Sequence, residues 1–156
     1  VDYCVEQGFK MMALFPESQQ WSLRNIAARQ VLRRLGEVQL PVMVEAGKEC
    51  DATDVLNALD GLDMSVILLN VSLTTLTEAM LVLKERPKTF LATRQLCGGD
   101  TIEILVQSLG PDRLIFTSGF PISCFSAAFL TAKFAGISNP ERDAILGGNM
   151  ASILGL

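Results

Sequence analysis

Histidine is absent from all 156 residues. That excludes a Ser-His-Asp nucleophile within this chain, because the triad needs imidazole as its base. It also removes the commonest nitrogen ligand for zinc. Positive charge is sparse: 13 Lys and Arg against 17 Asp and Glu leave a net charge of −4, and Arg33-Arg34 is the main basic pair. Nucleic acid is therefore not an expected partner, since its binders carry a basic patch. No apolar run approaches the roughly 20 residues that a membrane span requires, so no membrane association is expected. The N-terminus lacks the basic, apolar and small-residue order of a secretory signal. The chain opens on Val1 rather than Met, as a processed or shortened N-terminus does.

Close cysteine pairs are missing too. Cys4, Cys50, Cys97 and Cys124 have neither metal-ligand nor redox-motif spacing. They read as reduced, buried thiols of a cytoplasmic protein, and Cys124, with no histidine to activate it, reads as packing. Neither Gly98-Gly99 nor Gly147-Gly148 runs into the Lys-Ser/Thr of a phosphate loop. No cofactor is expected. Repeats, low-complexity linkers and composition breaks are also absent, so residues 1–156 read as one domain.

What is present is apolar character, arranged in alternation. The chain is 49% hydrophobic, with a mean hydropathy of +0.35, which points to a surface that something else covers. Five apolar runs read as strands: Gly8 to Phe15, Pro41 to Ala46, Ser65 to Asn70, Thr89 to Thr93 and Leu114 to Thr117. The third is apolar on both faces, as in a parallel sheet covered on each side. Helical patterns separate them. The first is capped by Ser22, carries Ile26, Ala27, Val31, Leu32 and Leu35 as its stripe, and stops near Gly36. Others begin near Asp51, run through Leu76 to Leu83 and span Ile102 to Leu109. Two more run from Ser123 to Phe134 and from Pro140, behind Asn139 as cap, to the end. Strand–helix alternation of this kind predicts an α/β fold with a parallel sheet.

Two C-terminal segments carry a resemblance. Asp112-Arg113-Leu114-Ile115-Phe116-Thr117-Ser118-Gly119-Phe120-Pro121 is an apolar strand ending in a small-residue turn. Ile145-Leu146-Gly147-Gly148-Asn149-Met150-Ala151-Ser152-Ile153-Leu154-Gly155-Leu156 closes the chain. Together they resemble the last strand and closing helix of the amidohydrolase family, in its branch of small-acid hydrolases and decarboxylases. The resemblance begins at Glu6-Gln7-Gly8-Phe9-Lys10 and covers nearly the whole chain. It implies a (β/α) barrel, TIM-barrel-like and incomplete, with this chain supplying about the last five strand–helix units. An isolated open sheet is the alternative that the strands alone allow.

Active sites of such barrels gather at the C-terminal ends of the strands. That directs attention to Lys10 through Phe15, Glu45, Asn70, Thr93-Arg94 and Ser118-Gly119. The resemblance implies that Glu45 and Asn70 stand where the family has metal-binding histidines. Gly119 stands where its Ser-Asp-Phe-Pro turn has an aspartate serving the metal. The family's remaining histidine pair belongs to a first strand outside these 156 residues. A carboxylate at Glu45 keeps ligand capacity, Asn70 offers a neutral oxygen, and Gly119 offers nothing. No metal, and in particular no stoichiometric zinc, is therefore expected.

The catalytic candidates are Glu45, Asn70 and Arg94, and the same three are the ligand-binding candidates. Arg94 matches a small carboxylate through its planar fork, or else pairs internally with Glu45 across the barrel mouth. Lys10 reads as a surface residue, and Glu49, Asp51 and Asp54 as a loop and a helix N-terminus. Two functions follow: a binding or structural subunit without the family's metal-dependent activity, or a hydrolase or decarboxylase using non-metal groups or ligands from the missing strands. Either way, five strands of eight leave two sheet edges open, and the expected partner is a missing N-terminal barrel segment or a second copy.

Overall fold

The computed structural model describes residues 1–156. Five strands form one sheet: β1 (Met12–Leu14), β2 (Val42–Glu45), β3 (Val66–Leu69), β4 (Thr89–Ala92) and β5 (Leu114–Ile115). Their order in space is their order in sequence, and all pairings are parallel. The helices are α1 (Asp2–Glu6), α2 (Ile26–Glu37), α3 (Asp51–Ala58), α4 (Leu76–Glu85), α5 (Thr101–Leu109), α6 (Phe125–Phe134), α7 (Asn139–Asp143) and α8 (Asn149–Leu154). A π-helical turn, Ala144–Gly148, joins the last two. No helix is long and apolar enough to cross a membrane.

Strand alternation sorts the apolar side chains onto two unequal faces. Val42, Val44, Val66, Leu68, Leu91 and Leu114 enter a 24-residue core with Leu32 and Leu35 of α2, Val55 of α3, Val82 and Leu83 of α4 and Leu105 of α5. Of the apolar side chains on the opposite face, only Ile67, Ala92 and Ile115 are buried. Met11, Met43, Leu69 and Phe90 are partly covered there, with Met150 and Ile153 of α8 packed against the cluster. One face is thus finished by helices and the other is half finished.

Several sequence-based boundaries shift, each for a local reason. β1 is three residues long, because Gly8 takes a left-handed φ of 76° and Phe9 and Lys10 stay in solvent. The cap of α2 is Asn25, which accepts the Ala27 N–H at 2.9 Å. Ser22 instead closes the turn before it by accepting the Arg24 N–H. α2 runs one residue past Gly36, to Glu37, and Gly36 is buried within it, a Cβ there standing at ordinary van der Waals distance from Leu62. Ile26 lies 74% exposed, outside the apolar stripe. α7 is capped by Ser138 in a capping box with Glu141, one residue before the expected Asn139.

The sheet edges differ from one another. Thr93 N–H donates to Ile115 C=O, so Ile115 faces β4 while Leu114 C=O and Phe116 N–H face outward. Those outward groups are already satisfied: Phe116 N–H donates to Ile145 C=O at 3.0 Å, and Asn149 Nδ2 donates to Leu114 C=O at 2.8 Å. Both β1 and β5 are terminal strands of the sheet, and β5 has these two outward groups satisfied from within the chain. At the other end Met12 N–H donates to Pro41 C=O, which turns the alternate residue, Ala13, outward from the sheet.

Candidate functional site

The C-terminal ends of β2, β3 and β4 carry one connected polar system. Glu45 closes β2 and projects from the half-finished face, in register with Leu69. Its side chain is 4% exposed, and its carboxylate is held by three donors. Ser18 N–H donates to Oε2 at 2.9 Å, Ser18 Oγ to Oε1 at 2.7 Å, and Asn70 Nδ2 to Oε1 at 3.0 Å. Asn70 follows β3 in a left-handed conformation, φ 62°, which asparagine adopts more readily than most residues. Its amide lies between opposite charges. The NH2 must face Glu45, and Oδ1 therefore faces Arg94, whose Nη1 donates to it at 3.1 Å.

Arg94 lies two residues beyond β4 and is half-buried. Thr117 Oγ1 accepts its backbone N–H at 3.2 Å, and Ser123 Oγ accepts its Nε–H at 3.0 Å. Nη2 keeps no protein acceptor. The sequence Ser18–Glu45–Asn70–Arg94–Ser123 is therefore one hydrogen-bonded chain across three strands and two loops. The expected direct pairing of Glu45 with Arg94 is corrected: neighbouring strands are about 4.8 Å apart, and Asn70 occupies the strand between them.

Gly119 adjoins this chain. The backbone there has φ 69°, a conformation that glycine takes without steric cost. A Cβ on Gly119 would lie 2.7 Å from Arg94 Cζ and closer still to Cδ and Nε. Arg94 therefore fills the space that any side chain at 119 would need.

The other inspected positions separate from the site. Lys10 is exposed. Asp54 pairs with Arg24 at 2.9 Å. Asp51 accepts the Lys48 N–H at 2.8 Å, and burial raises its carboxyl above the usual range against that hydrogen bond. Ser118 Oγ accepts the Phe120 N–H and is a turn residue. The cysteines are unpaired, but Cys50, Cys97 and Cys124 are exposed rather than buried, because all three fall in loops at helix N-termini. The N–H groups of Ala127 and Ser126 hold the Cys124 thiol below its usual range. Ser18, Thr117 and Ser123 belong to the site and were not anticipated. Each is a lone hydroxyl residue in a loop, with no spacing signal.

A cleft of about 780 Å³ lies between the loops after β2 and β3, where Thr53, Thr74 and Glu78 line it. Its main acidic group is already engaged: Glu78 accepts Cys50 N–H, Thr53 N–H and Thr53 Oγ–H. Glu45, Asn70 and Arg94 do not line this cleft.

These residues do not fit a divalent metal. No three His, Cys, Asp or Glu side chains converge on one point. Glu45 already accepts three hydrogen bonds, and Asn70 Oδ1 is directed at a guanidinium. A permanent cation stands beside Gly119, where a further ligand side chain would have to project.

No protein-family model and no curated protein sequence matches the chain. Solved structures do. An uncharacterised TIM-barrel protein from Bordetella bronchiseptica superposes with a TM-score of 0.80 at 16% identity, covering 99% of this chain and 60% of its own. An amidohydrolase candidate from Staphylococcus aureus gives 0.76 at 12% identity, covering 99% and 68%. A dihydroxybenzoic acid decarboxylase from Polaromonas, solved with bound manganese and the inhibitor 2-nitroresorcinol, gives 0.68 at 13% identity, covering 87% and 56%. The fold is therefore that of part of a TIM barrel, five parallel strand–helix units, as the C-terminal resemblance implied for the fold. The chain spans about 60% of the length of the first of these proteins.

Proposed function

We propose that this chain is the C-terminal part of an amidohydrolase-like barrel, about its last five strand–helix units, and binds a small carboxylate through Arg94 rather than through a metal. One observation carries the reading. The Arg94 guanidinium is fixed by Asn70 and Ser123 while Nη2 and a second Nη1 hydrogen remain free. A planar fork held in this way pairs with a carboxylate at little ordering cost. Glu45 is the orienting group in this scheme. Its carboxylate is committed to Ser18 and Asn70, which favours binding over acid–base turnover. The decarboxylase among the structural neighbours takes an aromatic carboxylate by its name, so benzoate is the natural probe. Calorimetric titration should show benzoate binding, with the neutral isostere benzamide at least tenfold weaker. Equal binding of the two, or none of benzoate, contradicts the reading.

The half-finished face supports a partner. The chain exposes 8,386 Å², about a tenth more than the roughly 7,700 Å² of a compact monomer of its mass. A partner's strand would add at β1, beside Ala13, and a segment that completes the barrel would also have to meet β5. The partner is an N-terminal barrel portion or a second copy. Light scattering should find the chain as a dimer, with a co-purified N-terminal piece, or aggregated. A monodisperse monomer with a cooperative melt contradicts this and favours an independent open sheet.

A further inference from the structure

Six glycines adopt a left-handed φ: Gly8, Gly61, Gly99, Gly110, Gly119 and Gly155. At five of them nothing lies within 4 Å of where a Cβ would stand, and Gly119 is the exception. The backbone angle alone accounts for glycine at the five. At Gly119 a second requirement is added, and the atoms that impose it are the Cδ, Nε and Cζ of Arg94.

We infer that Gly119 is a positioning residue for ligand recognition: its missing side chain admits Arg94 to the strand ends, where the guanidinium acts as a built-in cation in a site unfit for a metal ion. The inference rests on the carboxylate-binding reading and adds a residue to it. Arg94 reaches Ser123 Oγ and Asn70 Oδ1 from the space beside Gly119. A side chain at 119 forces the guanidinium out and breaks both hydrogen bonds. The fork then loses its orientation even though Arg94 is still present. The ligand class follows from the fixed cation: a compact planar oxyanion meeting the free Nη2 and Nη1 hydrogens.

The test compares Gly119→Asn with Gly61→Asn, because asparagine tolerates a left-handed φ. Residue 61 has nearly the same angle, 72°, with open space around it. Benzoate titration and the Arg94 Nε–H resonance are the two readouts, the resonance being assigned by its loss in Arg94→Ala. Gly119→Asn is expected to weaken benzoate at least tenfold and to remove the exchange protection of Arg94 Nε–H. Gly61→Asn should leave both unchanged. The double variant Arg94→Ala/Gly119→Asn should bind no more weakly than Arg94→Ala alone. If Gly119→Asn does not fold, the double variant should, because its collision partner is gone. Wild-type benzoate affinity with a protected Nε–H in Gly119→Asn overturns the inference. So does full additivity of the two binding losses, or equal failure to fold with and without Arg94. If wild type itself binds no benzoate, the carboxylate reading fails, and the Nε–H resonance still reports whether Gly119 positions Arg94.

Discussion

Replacing Arg113 with Ala is expected to destabilise the chain by about 3 kcal/mol. The Arg113 guanidinium is a knot at the N-terminal end of the sheet. Nε and Nη2 donate to Thr89 C=O, and Nη2 also donates to Leu83 C=O and Arg86 C=O. Those carbonyls end α4 and begin β4, and a single planar group serves all three. Burial lowers the guanidinium's pKa from its ordinary value, with no carboxylate to offset it. The cost of desolvation is therefore met chiefly by hydrogen bonds, each of roughly 1.5–3 kcal/mol for a charged donor, with the Phe90 ring centroid 6.0 Å from Cζ adding a cation–π contact. Water re-entering the half-buried space recovers part of the loss, which keeps the total near about 3 kcal/mol. For a chain of this size that lowers Tm by about 10 °C. Arg113→Lys should recover less than half, because an ammonium cannot reproduce the fork. Urea unfolding at fixed protein concentration checks this, and a loss under about 1 kcal/mol would show that solvent already serves those carbonyls.

The second large effect concerns binding. Arg94→Ala is expected to weaken benzoate roughly 10- to 100-fold, the equivalent of about 1.5–3 kcal/mol for a charge-assisted contact. Glu45→Gln tests the chain of contacts behind it. The sequence alone, with Glu45 as a competing partner of Arg94, predicts stronger binding once Glu45 is neutral. The geometry reverses that sign. Glu45 touches Asn70, not Arg94, and it fixes the orientation that turns Asn70 Oδ1 toward the guanidinium. A glutamine presents either an amide nitrogen or an oxygen there and fixes the amide less firmly. Glu45→Gln should therefore weaken benzoate severalfold, and a gain in affinity would restore the direct-competition picture.

Much of this fold could be read from residue order. The five apolar runs and their intervening amphipathic segments are the five strands and the helices between them, because parallel strands with apolar side chains on both faces read as near-continuous apolar runs. Boundaries were less legible. α2 continues through Gly36 because tertiary packing against Leu62 outweighs glycine's weak helix propensity. The partner of the outward Leu114 C=O is Asn149, about 35 residues away, and no local pattern encodes such a contact.

At the site, strand ends drew attention to Glu45, Asn70, Arg94 and Gly119 individually. Their connectivity was not visible. The one-strand separation of Glu45 from Arg94 suggested a pair, whereas the intervening strand supplies Asn70 as the link. Gly119 could be read as a lost side chain but not as a space filled by an arginine 25 positions earlier. Ser18 and Ser123 gave no signal at all, since loop serines are common and their role here comes only from the path of the loops.

In the proposed reading a fixed guanidinium, and not a metal, forms the recognition centre of this barrel portion. The most direct measurement is benzoate affinity in chelator, compared with affinity after addition of zinc or manganese, in wild type and in Arg94→Ala. The expected result is an affinity that is the same in all metal conditions and falls at least tenfold in Arg94→Ala. Binding that appears only with added metal and survives Arg94→Ala would contradict the account.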